Sequence, residues 1–427
     1  MTSDSKSLPL HTKILLGLLI GTVLGLAARG IAISPVDGVA TSGGGFREWL
    51  GANLEFIATH IAEPVGKIFL RLIMMMVIPL VVSALALGVL ELGDVRRLGI
   101  VGLRTLLYTL ILSGSAVAIG VGLTNFFQPG STLPPEQREL LSERYGAKAA
   151  QAVAQRKQAK NIRDTLLDLI PENPLQEAVG ALDGSSKGNG MLAVMFFSLF
   201  LGAALAVTGP VADPLVKVLE GLFAVSMTVI GWAMRIAPYG VACLLFAITS
   251  QIGFEILKTL GWFVATALGG MLLQFLVVYS TMLWFVAKRS PRQFVTDTSD
   301  ALITAFGTSS SNATLPTALR VAEENLKLPK EISQFVLTIG STANQNGTAL
   351  YEGVVVLFLA QVFGVDLTMS QQVVVVLMSV LAGVGTAGVP GGSIPLIVIV
   401  LQSVGVPGEG IGIILGIDRL LDMCRTV

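Results

Sequence analysis

Near its C-terminus the sequence reads DRLLDMCRT, with charges at helical spacing in an otherwise apolar segment. Asp418 and Asp422 stand four residues apart and so share a helix face, and Arg425 and Thr426 follow within a turn. A charge at the centre of a bilayer costs several kcal/mol, so these groups need partners. Asp422 and Arg425, at i and i+3, can neutralise each other. Alternatively both face a cavity and bind a zwitterion, the carboxylate taking an ammonium and the guanidinium a carboxylate.

A second polar insertion is STANQNGTALYEG, from Ser341 to Gly353. No charge occurs between Glu331 and Glu352, yet Asn344, Gln345, Asn346, Gly347 and Thr348 interrupt the apolar run. Amides and a glycine there weaken a helix and bring dipoles where lipid offers no partner. Glu352 is ionisable within the same segment, which by default marks a functional residue. The structural alternative is a helix-end charge paired with a neighbour. Upstream, GTSSSNATLP offers hydroxyls from Thr308, Ser309, Ser310, Ser311 and Thr314, and free N–H groups where the next helix starts, a natural anion cradle. Taken alone it reads equally well as an ordinary helix cap. Between Gly383 and Ser393, GVGTAGVPGGS holds five glycines and a proline and cannot propagate a helix.

The elements that carry these residues are membrane helices. Of 427 residues, 53% are hydrophobic and 13% charged, against about 25% charged in soluble domains. Zero formal net charge gives no reason to expect nucleic acid as a partner. Cys243 and Cys424 sit in apolar context as packing residues rather than a disulfide, and His11 and His60 lie too far apart for a metal site. Charge-poor stretches fall near 14–28, 68–90, 100–127, 191–207, 218–249, 259–287, 332–359, 367–407 and from 411 onward. Residues 128–190 are highly charged and form a loop. Basic residues at Lys6, Lys13, Arg96, Arg97, Arg104, Lys288, Arg289, Arg292, Arg320, Lys327 and Lys330 fall on one side, which the positive-inside rule makes cytoplasmic together with the N-terminus. The 128–190 loop then lies outside, and the chain is a multi-pass protein of the cell membrane, with the lipid bilayer as its partner.

Two stretches are not simple spans. Leu367 to Gly408 carries no charge and is about twice the length one crossing needs. With its glycine-rich centre it forms two half-length helices around a tip. Ser299 to Asn325 repeats this design around Gly307–Thr314, with Pro316 restarting the second arm. Irregular backbone at membrane depth survives only inside protein or beside an aqueous cavity, and paired interrupted segments point to a transporter's binding site. A channel needs a ring of charges or carbonyls. An enzyme needs a nucleophile and a base, and no histidine or cysteine accompanies Ser309–Ser311.

The motifs TSSSNATLP, NQNGTALYEG, GTAGVPGG and DRLLDMCRT, in this order, resemble the dicarboxylate/amino acid:cation symporters, the family of the excitatory glutamate transporters and their archaeal aspartate-transporting relatives. FLRLIMMMVIPLVVSALALG and LLDLIPENP extend the resemblance from about residue 13 to the end. It implies an all-α integral membrane fold with eight spans and two re-entrant hairpins, working as an elevator within a homotrimer. Residues 1–95 would hold scaffold spans 1 and 2, 96–127 span 3 of the transport domain, 128–190 the extracellular loop, and 191–251 scaffold spans 4 and 5. Residues 252–427 would complete the transport domain. The implied substrate site comprises Ser310 and Ser311, Thr348, Val389, Asp422, Arg425 and Thr426. Asp422 matches the family's ammonium-binding carboxylate and Arg425 the guanidinium that selects an acidic side chain, so glutamate or aspartate is the implied substrate. A neutral amino acid or C4-dicarboxylate is the alternative.

The resemblance further implies sodium or protons as coupling ions and no cofactor. Family sodium sites use backbone carbonyls, here at Gly340, Thr342, Asn344, Gly383, Val384 and Thr386. A further site uses third-span side chains with the carboxylate of NMDGT. In this sequence those positions read Thr109, Leu112 and Ser113, and the carboxylate is Asn346. Hard cations prefer charged oxygen ligands, so that site is expected to bind sodium poorly. Glu352 matches the proton-carrying glutamate of the animal members. The archaeal tip arginine is Ser309 here, and the animal last-span arginine falls on Met423, with Arg419 one turn earlier as a substitute. In the family the last span runs on to an asparagine that contacts substrate and an aspartate that binds sodium; this sequence stops at Val427, before both.

Overall fold

The computed structural model describes residues 10–31, 53–54, 56–93, 100–134, 136–139, 141, 170–183, 191–386 and 391–427. Among them there is no strand. The first half contains α1 (Leu10–Ile31), α2 (Glu63–Met74), α3 (Val77–Gly93), α4 (Ile100–Phe127), α5 (Pro174–Asp183), α6 (Met191–Thr208) and α7 (Asp213–Ile252). Next come α8 (Glu255–Leu273), a π-helical turn over Gln274–Tyr279, α9 (Ser280–Phe285) and α10 (Pro291–Asp297). The last third holds α11 (Ser299–Thr308), α12 (Ser311–Glu324), α13 (Lys330–Ala343), α14 (Asn346–Val362), α15 (Met369–Gly385), α16 (Ile394–Ser403) and α17 (Leu415–Thr426).

Among the described residues, five helical stretches are long and apolar enough to cross a membrane: Thr12–Gly30, Ala58–Leu90, Val101–Thr132, Ala193–Ser250 and Glu255–Phe285. The first shows how a bilayer inverts the usual pattern. Gly17, Gly21 and Gly25 recur every fourth residue and turn inward, where a Cβ on Gly17 or Gly21 would overlap the carbonyl oxygens of Pro238 and Ala242 in α7. Leu19, Ile20, Val23 and Leu24 of the same helix are all more than half exposed. Small residues inside and leucines outside is how helices pack in lipid, where close backbone approach supplies the attraction.

At the centre lies α14, whose residues from Thr348 to Ala360 are buried on every side. A helix apolar all round belongs in an interior. It packs against α4, α8, α15, α16 and α17. The helix pair α1 and α7, with α2 beside them, meets this assembly where α1 packs on α17, α2 on α16 and α7 on α8.

The interrupted segments take the following forms. α11 and α12 pack on each other, and the turn between them is only Ser309 and Ser310. Ser309 adopts the left-handed conformation (φ 49°), and Ser310 caps α12 by accepting the Ala313 N–H at 3.2 Å. The second arm therefore starts at Ser311, ahead of Pro316, which lies inside the helix; the serine cap, not the proline, sets the start. α15 and α16 have 17 and 10 residues, about 25 Å and 15 Å at 1.5 Å per residue, against about 30 Å of hydrocarbon. Residues 387–390 of the tip between them, including Val389, lie outside the described residues, as do Arg96, Arg97 and most of the 128–190 loop. The fifth expected span is longer than its apolar stretch: α7 has 40 residues and runs through Pro238 without ending.

Candidate functional site

The break in the seventh apolar segment is two residues wide. α13 ends at Ala343 and α14 begins at Asn346, leaving Asn344 and Gln345 in non-helical conformations. The side-chain amides of Gln345 and Asn346 tie this break to the helices around it. Gln345 Nε2 donates to the Thr386 carbonyl at 2.7 Å and its Oε1 accepts from Thr348 Oγ1 at 3.3 Å, tying the break to the end of α15. Asn346 Oδ1 accepts from Ser113 Oγ of α4 at 2.6 Å, and Asn346 Nδ2 donates to the Tyr279 hydroxyl at 3.2 Å. Tyr279 ends the π-helical turn, a device that commonly re-aims side chains at functional sites.

Gly347 follows because α17 comes too close for any side chain. A Cβ there would overlap the Arg425 carbonyl oxygen. This contact brings the polar end of α17 against the break. Arg425 Nε donates to Asp422 Oδ1 at 2.9 Å and Nη1 to Asp418 Oδ1 at 3.2 Å. Helix side chains lean toward the N-terminus, which lets one arginine reach back to both carboxylates. The guanidinium also lies 4.6 Å from the centre of the Tyr351 ring, a cation–π contact that is strong when desolvated. On the other side of Asp422, Oδ2 accepts from Arg419 Nη1 and from the Gly391 N–H, each at 3.3 Å.

These elements enclose a cavity of about 100 Å³. Ser309 and Ser311 from the first tip, Asn344 to Thr348 from the break, and Thr386 and Ser393 from the second tip line it. Tyr279, Asp422, Arg425, Thr426 and Val427 complete the wall. Its polar lining includes atoms that lack partners in the described structure: Ser309 Oγ, Ser393 Oγ and Asn344 Oδ1 are buried without a hydrogen bond. Buried polar atoms normally have partners, so this cavity is built for polar occupants.

Of the residues expected at the substrate site, Ser311, Thr348, Asp422, Arg425 and Thr426 line this cavity together. Ser310 lies just behind, its hydroxyl engaged as the cap of α12. Among the expected ion positions, Asn344, Asn346 and Thr386 line it, whereas Gly340, Thr342, Gly383 and Val384 do not. Glu352 lies one turn beyond Thr348 on α14; it has no solvent exposure and neither carboxyl oxygen has a hydrogen-bond partner. Tyr279 and Ser393 line the cavity without a signal of this kind in the sequence, and Asp418, which shares a helix face with Asp422, is the second carboxylate on Arg425. An isolated tyrosine in the apolar run to Ala287 was the available signal for Tyr279; nothing marked Ser393 apart from the other tip residues.

Residues 10–427 match the sodium:dicarboxylate symporter family. The chain is 32% identical over 420 residues to the proton/sodium-glutamate symport protein of Bacillus subtilis, covering 98% of this chain and 89% of that protein. It is 33% identical to the proton/glutamate-aspartate symporter of Escherichia coli over 89% of this chain and 83% of the relative. Mouse excitatory amino acid transporter 3 is 32% identical over 85% of this chain and 75% of its own length. The match runs from α1 through the last helix and takes in every element around the cavity: this chain belongs to the sodium:dicarboxylate symporter family.

Proposed function

We propose that this protein is a secondary symporter that carries glutamate or aspartate across the cell membrane together with protons, sodium ions or both. The observation that carries this reading is the Asp422–Arg425 pair on the wall of a polar cavity between two interrupted helix pairs. An acidic amino acid offers one ammonium and two carboxylates. Asp422 takes the ammonium, Arg425 the distal carboxylate, and the start of α12 with Ser311 the remaining carboxylate, through N–H groups that helix geometry leaves free. The Asp422–Arg425 bond is then an internal stand-in for substrate: the entering carboxylate replaces Asp422 on Arg425 as the ammonium replaces Arg425 on Asp422. Each buried charge keeps a partner throughout, which avoids the cost of an unpaired one.

In this reading the chain crosses the membrane eight times with two re-entrant hairpins, α11–α12 and α15–α16, and its N-terminus is cytoplasmic. α1, α2, α3, α6 and α7 form a scaffold that trimerises, α5 belongs to the extracellular loop, and α4 with α8 to α17 move as a transport domain. Asn346 binds sodium weakly for want of a carboxylate, and Glu352, buried with no hydrogen bond to either carboxyl oxygen, carries a proton. Uptake of labelled aspartate into proteoliposomes holding a proton gradient alone or a sodium gradient alone tests the function. Accumulation under at least one gradient, suppressed by glutamate but not by serine or succinate, is the expected result. No accumulation under either, or preferential suppression by serine or succinate, contradicts it.

A further inference from the structure

We propose that Arg419 is a positioning residue for the substrate site, holding Asp422 in place while Arg425 changes partners. The proposal rests on Asp422 being the ammonium partner. Residues advance about 100° per position around a helix, so Arg419 and Arg425, three before and three after Asp422, flank it on opposite sides. The hydrogen bonds follow this division. Arg425 holds Oδ1 through Nε and Nη2, each 2.9 Å away. Arg419 Nη1 and the Gly391 N–H hold Oδ2, each at 3.3 Å.

The two arginines also face different spaces. Arg425 faces the 100 Å³ cavity. Arg419 does not; with Asp418 and Asp422 it borders a separate gap of about 10 Å³, whose other walls include Ile14 of α1, Phe69 of α2 and Met234 of α7. A space of that size holds about one water and cannot admit an amino acid. Asp422 is the wall between the two. Arg419 therefore acts on Asp422 from behind without touching substrate, its side chain 16% exposed.

A carboxylate held on one oxygen only can rotate with its partner. Without Arg419, Oδ2 would keep only the 3.3 Å bond from the Gly391 N–H, and drawing the guanidinium toward a substrate carboxylate would turn Asp422 with it against that single neutral contact. Arg419 fixes Oδ2, so Oδ1 is left in place as Arg425 leaves it and meets the incoming ammonium. The same oxygen also anchors Gly391, so Arg419 supports the second tip at the point where it meets the site.

The test is aspartate binding by calorimetry to the purified full chain, for wild type, Arg419→Lys and Arg419→Met, with the ligand-free thermal midpoint measured for each. Methionine keeps the apolar stem and removes the charge, whereas lysine keeps a charge that can reach Oδ2. R419M is expected to weaken aspartate by about tenfold or more, the scale of one charge-assisted hydrogen bond, and R419K to stay within about threefold of wild type. R419M within twofold of wild type overturns the proposal, as does R419K losing as much as R419M. If R419M does not fold, Arg419→Gln takes its place, with a loss of about fivefold or more expected and binding within twofold overturning the proposal. Failure of wild type to bind aspartate would instead remove the proposed function, and this inference with it. Wild-type binding with unaltered variants removes the inference alone.

Discussion

Replacing Gly347 by alanine adds one carbon at the closest approach between the broken helix and α17. That carbon would overlap the Arg425 carbonyl oxygen and lie 3.0 Å from both the carbonyl carbon and the Cα of the same residue. All three are backbone atoms, so no side-chain rotation relieves the overlap, and α14 and α17 must separate by on the order of 1 Å. Overpacking of this kind costs about 1–3 kcal/mol. That cost lowers the thermal midpoint, and because the displaced element carries Asp422 and Arg425, aspartate affinity is expected to drop as well, by about 150-fold at most at 1.4 kcal/mol per tenfold. The assay is calorimetric binding beside the thermal midpoint, with Gly269→Ala as control, since a Cβ at Gly269 meets nothing within 4 Å. At a helical glycine with open space, alanine is neutral or stabilising. Gly347→Ala with wild-type aspartate affinity would show that the close approach does not shape the site.

Two further outcomes concern the coupling ions. Asn346→Asp places a carboxylate where Ser113 and Tyr279 can both donate to it; the half-saturating sodium concentration for uptake is expected to fall several-fold, and an unchanged sodium dependence would count against a weakened cation site there. Glu352→Gln mimics the protonated carboxyl permanently in a position where neither oxygen has a partner; aspartate binding is expected to persist while acceleration of uptake by an inward proton gradient disappears, and retained acceleration would exclude Glu352 as the carrier.

The broken helix was legible because NQNG cannot serve lipid or helix, and its amides indeed bridge α4, α15 and the π-helical turn. The charges of α17 were legible by spacing, although spacing left open whether Asp422 pairs with Arg425 or faces a cavity. The structure has both: the two are bonded and line the cavity. Tyr279 was hidden because a π-helical turn rotates it away from where α-helical periodicity places it. Ser393 was hidden because a tip has no periodicity to read. Proline is the louder signal in the sequence and points to Pro316 as the start of α12, whereas the Ser310 cap lies six residues earlier. Arg419 lay in plain view, but its role depends on a gap bordered by α1, α2 and α7, far away in sequence.

The central claim is that Arg425 selects an acidic side chain from within this cavity, and it is tested most directly by aspartate and serine affinities of wild type and Arg425→Cys. Losing the guanidinium removes two or more charge-assisted hydrogen bonds to the substrate carboxylate and leaves that wall of the cavity neutral, a loss of about 2 kcal/mol or more. Aspartate is then expected to bind at least about 30-fold more weakly and serine more tightly than in wild type, with the order of preference reversed. Undiminished aspartate affinity in Arg425→Cys would contradict the account.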